Sequence, residues 1–169
     1  MSETNLILGV AGLPPQSARN CKQELSPIPN GEFKRSINGN LLFLETGDRK
    51  RYKSAISCKD VNSPLIDGIW VGTQLLVGCV QNLWQAIDAG ERKIRLIRPP
   101  VADSVCVVNG LGDAIRFETR DDEVELPRTY DEKVFVCFRP WLTMKVVDFS
   151  LETDEWGMSG GWKLSLEEV

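Results

Sequence analysis

From residue 31 to its end the chain is a series of short apolar or alternating runs, each cut off by glycine, proline, asparagine or aspartate. This punctuation constrains the fold more than any other feature. Runs of roughly four to eight residues are short for a packed helix and suit strands. Residues 32–37 and 40–45 flank Asn38-Gly39, a hairpin signal because a type I′ turn needs positive φ at both central positions. Residues 51–57 alternate, with Tyr52, Ser54 and Ile56 on one face. Residues 73–81, 93–97, 104–108, 114–118, 133–139 and 141–150 read as further strands, with Asn109-Gly110-Leu111-Gly112-Asp113 as a turn. Residues 162–168 close the series, with Trp162, Leu164 and Leu166 on one face at the period of a half-buried strand. One short helix is expected over 81–89, where Leu83 and Ile87 share a side and Gly90 supplies the stop. The fold class is therefore mainly β, an antiparallel β-sandwich or barrel with at most one short helix.

Residues 1–30 differ from the rest. Pro14, Pro15, Pro27 and Pro29 forbid a long helix, so this part reads as an extended N-terminal arm that opens with a strand at 5–10. The arm either straps a neighbouring subunit or wraps its own domain. Residues 31–169 form the single β-rich domain. At 169 residues and 42% apolar content the chain can bury a core. Its first residues lack a basic n-region, and no apolar run reaches the ~18 residues of a membrane helix, so a cytoplasmic origin without a membrane span is expected.

Charge is uneven. Residues 1–60 hold nine Lys/Arg and six Asp/Glu, and residues 61–169 hold eleven and eighteen. The basic part peaks at Arg49, Lys50, Arg51 and Lys53, and the acidic part at Asp121, Asp122, Glu123 and Glu125. Opposite patches on a small domain suit head-to-tail self-association, and a solvated turn at each place explains them as well. An acidic balance argues against general nucleic-acid binding. It also lets an acidic lumen pass DNA without specific binding, by like-charge repulsion.

The chemistry-bearing motifs are weak. Histidine is absent, which excludes Ser-His-Asp and Cys-His catalysis and histidine metal sites. Gly157-Met158-Ser159-Gly160-Gly161 fits the GxSxG string, but its serine has no base and a strand follows it, so a glycine turn is expected. Gly110-Leu111-Gly112 lacks the third glycine and the helix of a dinucleotide fingerprint. The acidic run lacks the spacing of a calcium loop. No enzyme, catalytic residue, cofactor or metal is expected. Cys79, Cys106 and Cys137 sit in apolar runs and read as buried, reduced thiols, and Cys58 reads as the exposed one. Tryptophans at 70, 84, 141, 156 and 162 are core or interface anchors or a sugar platform, with Trp70 and Trp156 the interface candidates.

Three stretches carry a resemblance. They are Phe33-Lys34-Arg35-Ser36-Ile37-Asn38-Gly39-Asn40-Leu41; then Arg51-Tyr52-Lys53-Ser54-Ala55-Ile56-Ser57-Cys58-Lys59-Asp60 with Gly68-Ile69-Trp70-Val71-Gly72; and last Arg139-Pro140-Trp141-Leu142-Thr143-Met144 with Thr153-Asp154-Glu155-Trp156 and the ending Trp162 to Glu168. Together these resemble small tail-region virion proteins of long-tailed bacteriophages, over about half of the chain. The resemblance implies a structural subunit of the tail tube end, tip or connector, made in the bacterial host cytoplasm and assembled in rings with copies of itself and neighbouring tail proteins. It implies no cofactor. The alternative is a carbohydrate- or receptor-binding β-sandwich module.

Overall fold

The computed structural model describes residues 3–9, 11–157 and 160–169. The fold is mainly β, antiparallel throughout and without a closed barrel. Among the described residues fourteen strands follow in chain order: β1 (Ile7–Leu8), β2 (Lys22–Ile28), β3 (Gly31–Arg35), β4 (Leu41–Glu45), β5 (Arg51–Cys58), β6 (Gln74–Gly78), β7 (Leu83–Ile87), β8 (Lys93–Arg95), β9 (Cys106–Val108), β10 (Glu118–Arg120), β11 (Glu123–Glu125), β12 (Val134–Phe138), β13 (Trp141–Thr153) and β14 (Gly160–Glu168). A 3₁₀ turn covers Ile66–Gly68.

Six strands form the main sheet, in the order β1-β6-β13-β14-β5-β2. Alternation decides its faces. Leu75 and Val77 of β6, Leu142, Met144 and Val146 of β13, Ile56 and Cys58 of β5, and Trp162, Leu164 and Leu166 of β14 all point to one side and are buried. A β-bulge between Val146 and Asp148 leaves Val147 on the surface.

The N-terminal segment and the loop after β5 pack on the buried side. Leu6, Leu8, Ala11 and Ala18 from the N-terminal segment and Ile69 from the loop after β5 fill the same apolar cluster. Of the two roles open to the arm, the segment thus wraps its own chain. Polar bonds fix it there. The buried Trp162 indole donates from Nε1 to the Ser17 carbonyl oxygen at 2.6 Å. Asp60 accepts from the Arg19 backbone N–H at 2.9 Å and from its guanidinium Nη2 at 2.7 Å.

Residues 83–138 are inserted between β6 and β13, which still pair with each other. Two three-stranded sheets, β7-β12-β9 and β10-β11-β8, share a second apolar cluster built on Ile87, Val107, Val124, Val136 and Phe138. The helix expected over 81–89 is corrected here. Residues Leu83–Ile87 are a strand, paired along its length with Val134–Phe138. Its neighbours supply the hydrogen bonds, and Gln85 reaches across to accept from the Ile97 N–H at 2.9 Å.

The hairpin stands apart from all of this. β3 and β4 pair only with each other, and each of their residues is exposed except the half-buried Gly31. The predicted two-residue type I′ turn is corrected as well. Gly39 takes φ +80°, but Asn38 does not take positive φ. The Gly39 N–H donates to Ser36 O at 2.8 Å and the Ser36 N–H to Asn40 O at 2.9 Å. This is a type I turn closed by a left-handed glycine, the usual three-residue hairpin loop.

Candidate interaction surface

The hairpin extends the β2/β5 ribbon beyond the sheet. β2 and β5 pair from Lys22↔Ser57 to Ile28↔Arg51, and pairing resumes at Gly31↔Glu45. The segment 46–50 loops out at the junction, and Asn30 pins it. Its side-chain amide donates to Glu45 Oε1 at 2.7 Å and to the Gly47 carbonyl at 2.8 Å. Gly31 lets the two strands close in, since a Cβ there would lie 2.1 Å from the Leu44 carbonyl oxygen. Five paired rows at ~3.4 Å each, plus the loop, project the ribbon by about 20 Å.

Register sorts its side chains. Phe33, Leu41 and Phe43 share one face with Arg35, and Leu42 and Leu44 share the other with Glu32 and Lys34. The Phe33 and Phe43 rings meet at 4.8 Å between centroids. Phe33 is 69% exposed, and Ile37, at the tip, is fully exposed. β4 is therefore apolar on both faces while neither face is covered. A lone two-stranded hairpin is marginal in water, and burying what these side chains still expose would gain a share of the about 1.5–3 kcal/mol that full burial of such a side chain is worth. Exposure of this kind makes the hairpin the candidate interaction surface of the chain.

The basic cluster sits at the base of this ribbon. Arg49 and Lys50 lie in the looped-out junction, and Arg51 and Lys53 follow on the open face of β5. All four are exposed. Arg98 braces the base. Its Nε donates to Glu168 Oε1 at 2.7 Å and its Nη2 to the Lys50 carbonyl at 2.7 Å. Its guanidinium also lies 5.6 Å from the Tyr52 ring centroid. Glu168 in turn accepts from the Tyr52 N–H at 2.9 Å. Sequence reasoning missed Arg98, Glu168 and Asn30, and no local pattern marks the first two, which are 70 residues apart.

The acidic cluster lies elsewhere, on the inserted part, and is answered locally. Asp121 takes φ 52° in the tight turn between β10 and β11, a conformation aspartate tolerates. Arg95 Nε donates to Asp122 at 2.7 Å, Lys93 lies 3.4 Å from Glu123 and 3.5 Å from Glu125, and Arg92 lies 3.2 Å from Glu125. The Arg95 guanidinium holds the Asp122 carboxyl below its usual range. β8 thus neutralises most of the charge that the sequence places at 121–125. No metal-sized group of three ligands occurs among the described residues.

No protein-family model and no curated protein sequence matches the chain.

The remaining candidates separate by exposure. Trp70 is 68% exposed beside the 3₁₀ turn, and Trp156 is 83% exposed in the turn after β13. The glycine-serine string 157–161 lies partly outside the described residues, at Met158 and Ser159. Two cysteine expectations are corrected. Cys58 is buried, because the N-terminal segment covers it and the Arg19 carbonyl accepts from its thiol at 3.2 Å. Cys106 is exposed on β9, whereas Cys79 and Cys137 are buried. Burial pushes the Cys79 thiol up to about 11 and the Cys21 thiol higher still, so both stay protonated near neutrality. Among the described residues no helix is long and apolar enough to cross a membrane.

Proposed function

We propose that this chain is a structural subunit of a bacteriophage tail, at the tube end, tip or connector, which locks into its neighbours through the projecting hairpin. The observation that carries the assembly role is the hairpin itself. An ordered ribbon with Phe33, Ile37, Leu41 and Phe43 in solvent has a reason to persist if a neighbour buries them. The tail comes from the resemblance in the blocks around residues 33–41, 51–60, 68–72, 139–144 and 153–168. In this reading Arg49, Lys50, Arg51 and Lys53 ring the inserted ribbon and meet an acidic partner surface, which steers docking and fixes its register. The test bands particles from a lysate on a density gradient and blots the fractions for the chain. It should band with tailed particles at several copies each, and electron-microscopic labelling should place it on the tail. A chain confined to the soluble fractions sinks the proposal.

A second reading has one observation in its favour. Trp156 is exposed and flanked by carboxylates at 154 and 155, as in a sugar-binding platform. A glycan panel read by tryptophan fluorescence decides it. Quenching lost on Trp156→Ala supports the binding module, and an unresponsive panel leaves assembly as the role of this surface.

A further inference from the structure

β2 and β5 are the two legs that carry the projecting hairpin, and their pairing brings two cysteines face to face. The ladder runs from Ile28↔Arg51 to Lys22↔Ser57. One further step in the same register sets Cys21 opposite Cys58. Cys58 is buried in the main core, and Cys21 packs half-buried against the same cluster. Before Cys21 the chain turns at Asn20, which takes φ 56°. The turn brings the carbonyls of Ala18 and Arg19 over the two sulfurs. The Cys21 thiol donates to the first at 3.2 Å, and the Cys58 thiol donates to the second at 3.2 Å. The two thiols also interact with each other, side chain to side chain.

Register decides what this pair can become. In an antiparallel ladder, hydrogen-bonded pairs alternate with pairs that exchange no backbone bond, and the second kind brings its side chains closer together. Three observations make Cys21 and Cys58 a pair of the second kind. Pro27, which has no N–H to give, faces Tyr52. The Tyr52 N–H donates instead to Glu168 of β14, at 2.9 Å. The Cys58 carbonyl oxygen lies 3.2 Å from the Cβ position of Gly161, also on β14. Residues 52, 54, 56 and 58 therefore turn their backbone groups away from β2. A disulfide needs Cα atoms about 4.4–6.8 Å apart and Cβ atoms about 3.5–4.5 Å apart. A pair without backbone bonds stands at about 4.5 Å between Cα atoms. Cys106 and Cys137 face each other as well, on β9 and β12. There the Val107 carbonyl accepts from the Ile115 N–H at 2.9 Å, away from β12. Cys106 and Cys137 are thus a hydrogen-bonded pair, whose side chains stand farther apart.

We infer that Cys21 and Cys58 are a site of disulfide formation, at which a small-molecule disulfide acting as oxidant joins β2 to β5 and fastens the N-terminal segment to the main sheet. Cys21 borders an open pocket lined by Glu3, Asn5, Asn20 and Val80, so it is the sulfur that the reagent reaches. Its thiol gives up a proton and attacks one sulfur of the reagent. The reagent's S–S bond breaks and its first thiol leaves. The Cys58 thiol then gives up its proton and attacks the Cys21 sulfur of the mixed disulfide. The Cys21–Cys58 bond forms and the second thiol leaves. The chain loses two electrons and two protons, and the reagent gains them and ends as two thiols. Burial holds both cysteines protonated near neutrality, which makes the first attack slow. The second is fast, because its partner already stands in place. The bond closes a loop that contains the whole hairpin. It also lies two residues from Arg19, whose pairing with Asp60 is the segment's polar fastening. None of this depends on what the hairpin meets.

Oxidised glutathione tests the site. The folded chain is incubated overnight at about pH 8.5, near the ordinary thiol value, then alkylated, digested and mapped by mass spectrometry. The peptides that hold Cys21 and Cys58 should be joined, and dithiothreitol should part them. The joined chain should melt at least about 5 °C above the same chain after reduction, because the bond constrains the unfolded state. Cys21→Ser should show no such rise, and Cys58→Ala replaces it if that variant does not fold. Three results overturn the inference: no joined Cys21 and Cys58 peptides, a bond found only between Cys106 and Cys137, or a joined chain that melts where the reduced one does.

Discussion

Trp162 combines two roles that phenylalanine could not. Its ring fills the main core, and its Nε1–H satisfies the Ser17 carbonyl at 2.6 Å. Trp162→Phe keeps most of the packing and strands a buried acceptor. It should cost about 1–3 kcal/mol in urea unfolding, and a cost near zero would show that Ser17 finds another donor. Asp60 is the other fastening of the N-terminal segment. Arg19 holds its carboxyl down to about 2 from the ordinary 3.8, first through the side-chain hydrogen bond. A lowered folded value means that the stabilisation is fully present above 3.8 and fades as pH falls towards 2. The stability gap between the unaltered chain and Asp60→Asn should hold at pH 5 to 7 and shrink through that acid window. A gap that ignores pH there would contradict the pairing. Residue scale is also where the sequence was least legible. Cys58 follows an alternating run and reads as exposed, but its cover comes from residues 18–21, about forty positions earlier. Arg98 and Glu168 meet only after the inserted part has folded back on the hairpin base.

At the scale of elements, period and punctuation carried most of the information. β5 and β14 fall where alternation places them, and β6, β12 and β13 where apolar or β-branched runs place them, because register is set by burying one face. The helix expected over 81–89 failed because Leu83 and Ile87 fit both a helical spacing of four and a strand spacing of two, and the partner strand Val134–Phe138 made the choice. The hairpin at Asn38-Gly39 was legible as a turn but not as a projection. Nothing local says whether a strand with Leu41, Leu42, Phe43 and Leu44 in succession is covered or bare. The ion pairs between residues 92–95 and 122–125 were hidden for a similar reason, since Arg92, Lys93 and Arg95 stand 27 to 33 residues from their carboxylates in sequence. One prediction belongs to this scale. The hairpin packs on no core, so replacing residues 31–45 by a short Asn-Gly turn should change unfolding free energy by no more than about 0.5 kcal/mol. A loss above about 2 kcal/mol would make the ribbon part of the fold instead of a tool for binding.

At the scale of the whole molecule, the chain is a stable sheet that carries a ribbon it does not need for its own core. Two apolar clusters are complete without β3 and β4, and neither cluster takes a side chain from them. Under the proposed function, such a chain would fold without its neighbours and gain apolar burial on meeting them. Charge follows the same plan. Asp122, Glu123 and Glu125 of the inserted part are paired within the chain, while the basic residues of the ribbon base stand exposed where the hairpin joins β5. In the proposed function, the resemblance to tail-region virion proteins names the assembly and the ribbon would supply the contact.

The most direct test counts the chain in purified particles. Hosts would supply either the unaltered chain or the Ile37→Asp, Phe43→Asp variant to an infection that lacks its own copy, and quantitative mass spectrometry would read copies per banded tailed particle. The account predicts several copies of the unaltered chain and at least a tenfold drop for the variant, with circular dichroism of the isolated variant expected to match that of the unaltered chain. Equal incorporation of both would contradict the claim that the hairpin is the joint, and absence of both would contradict the tail.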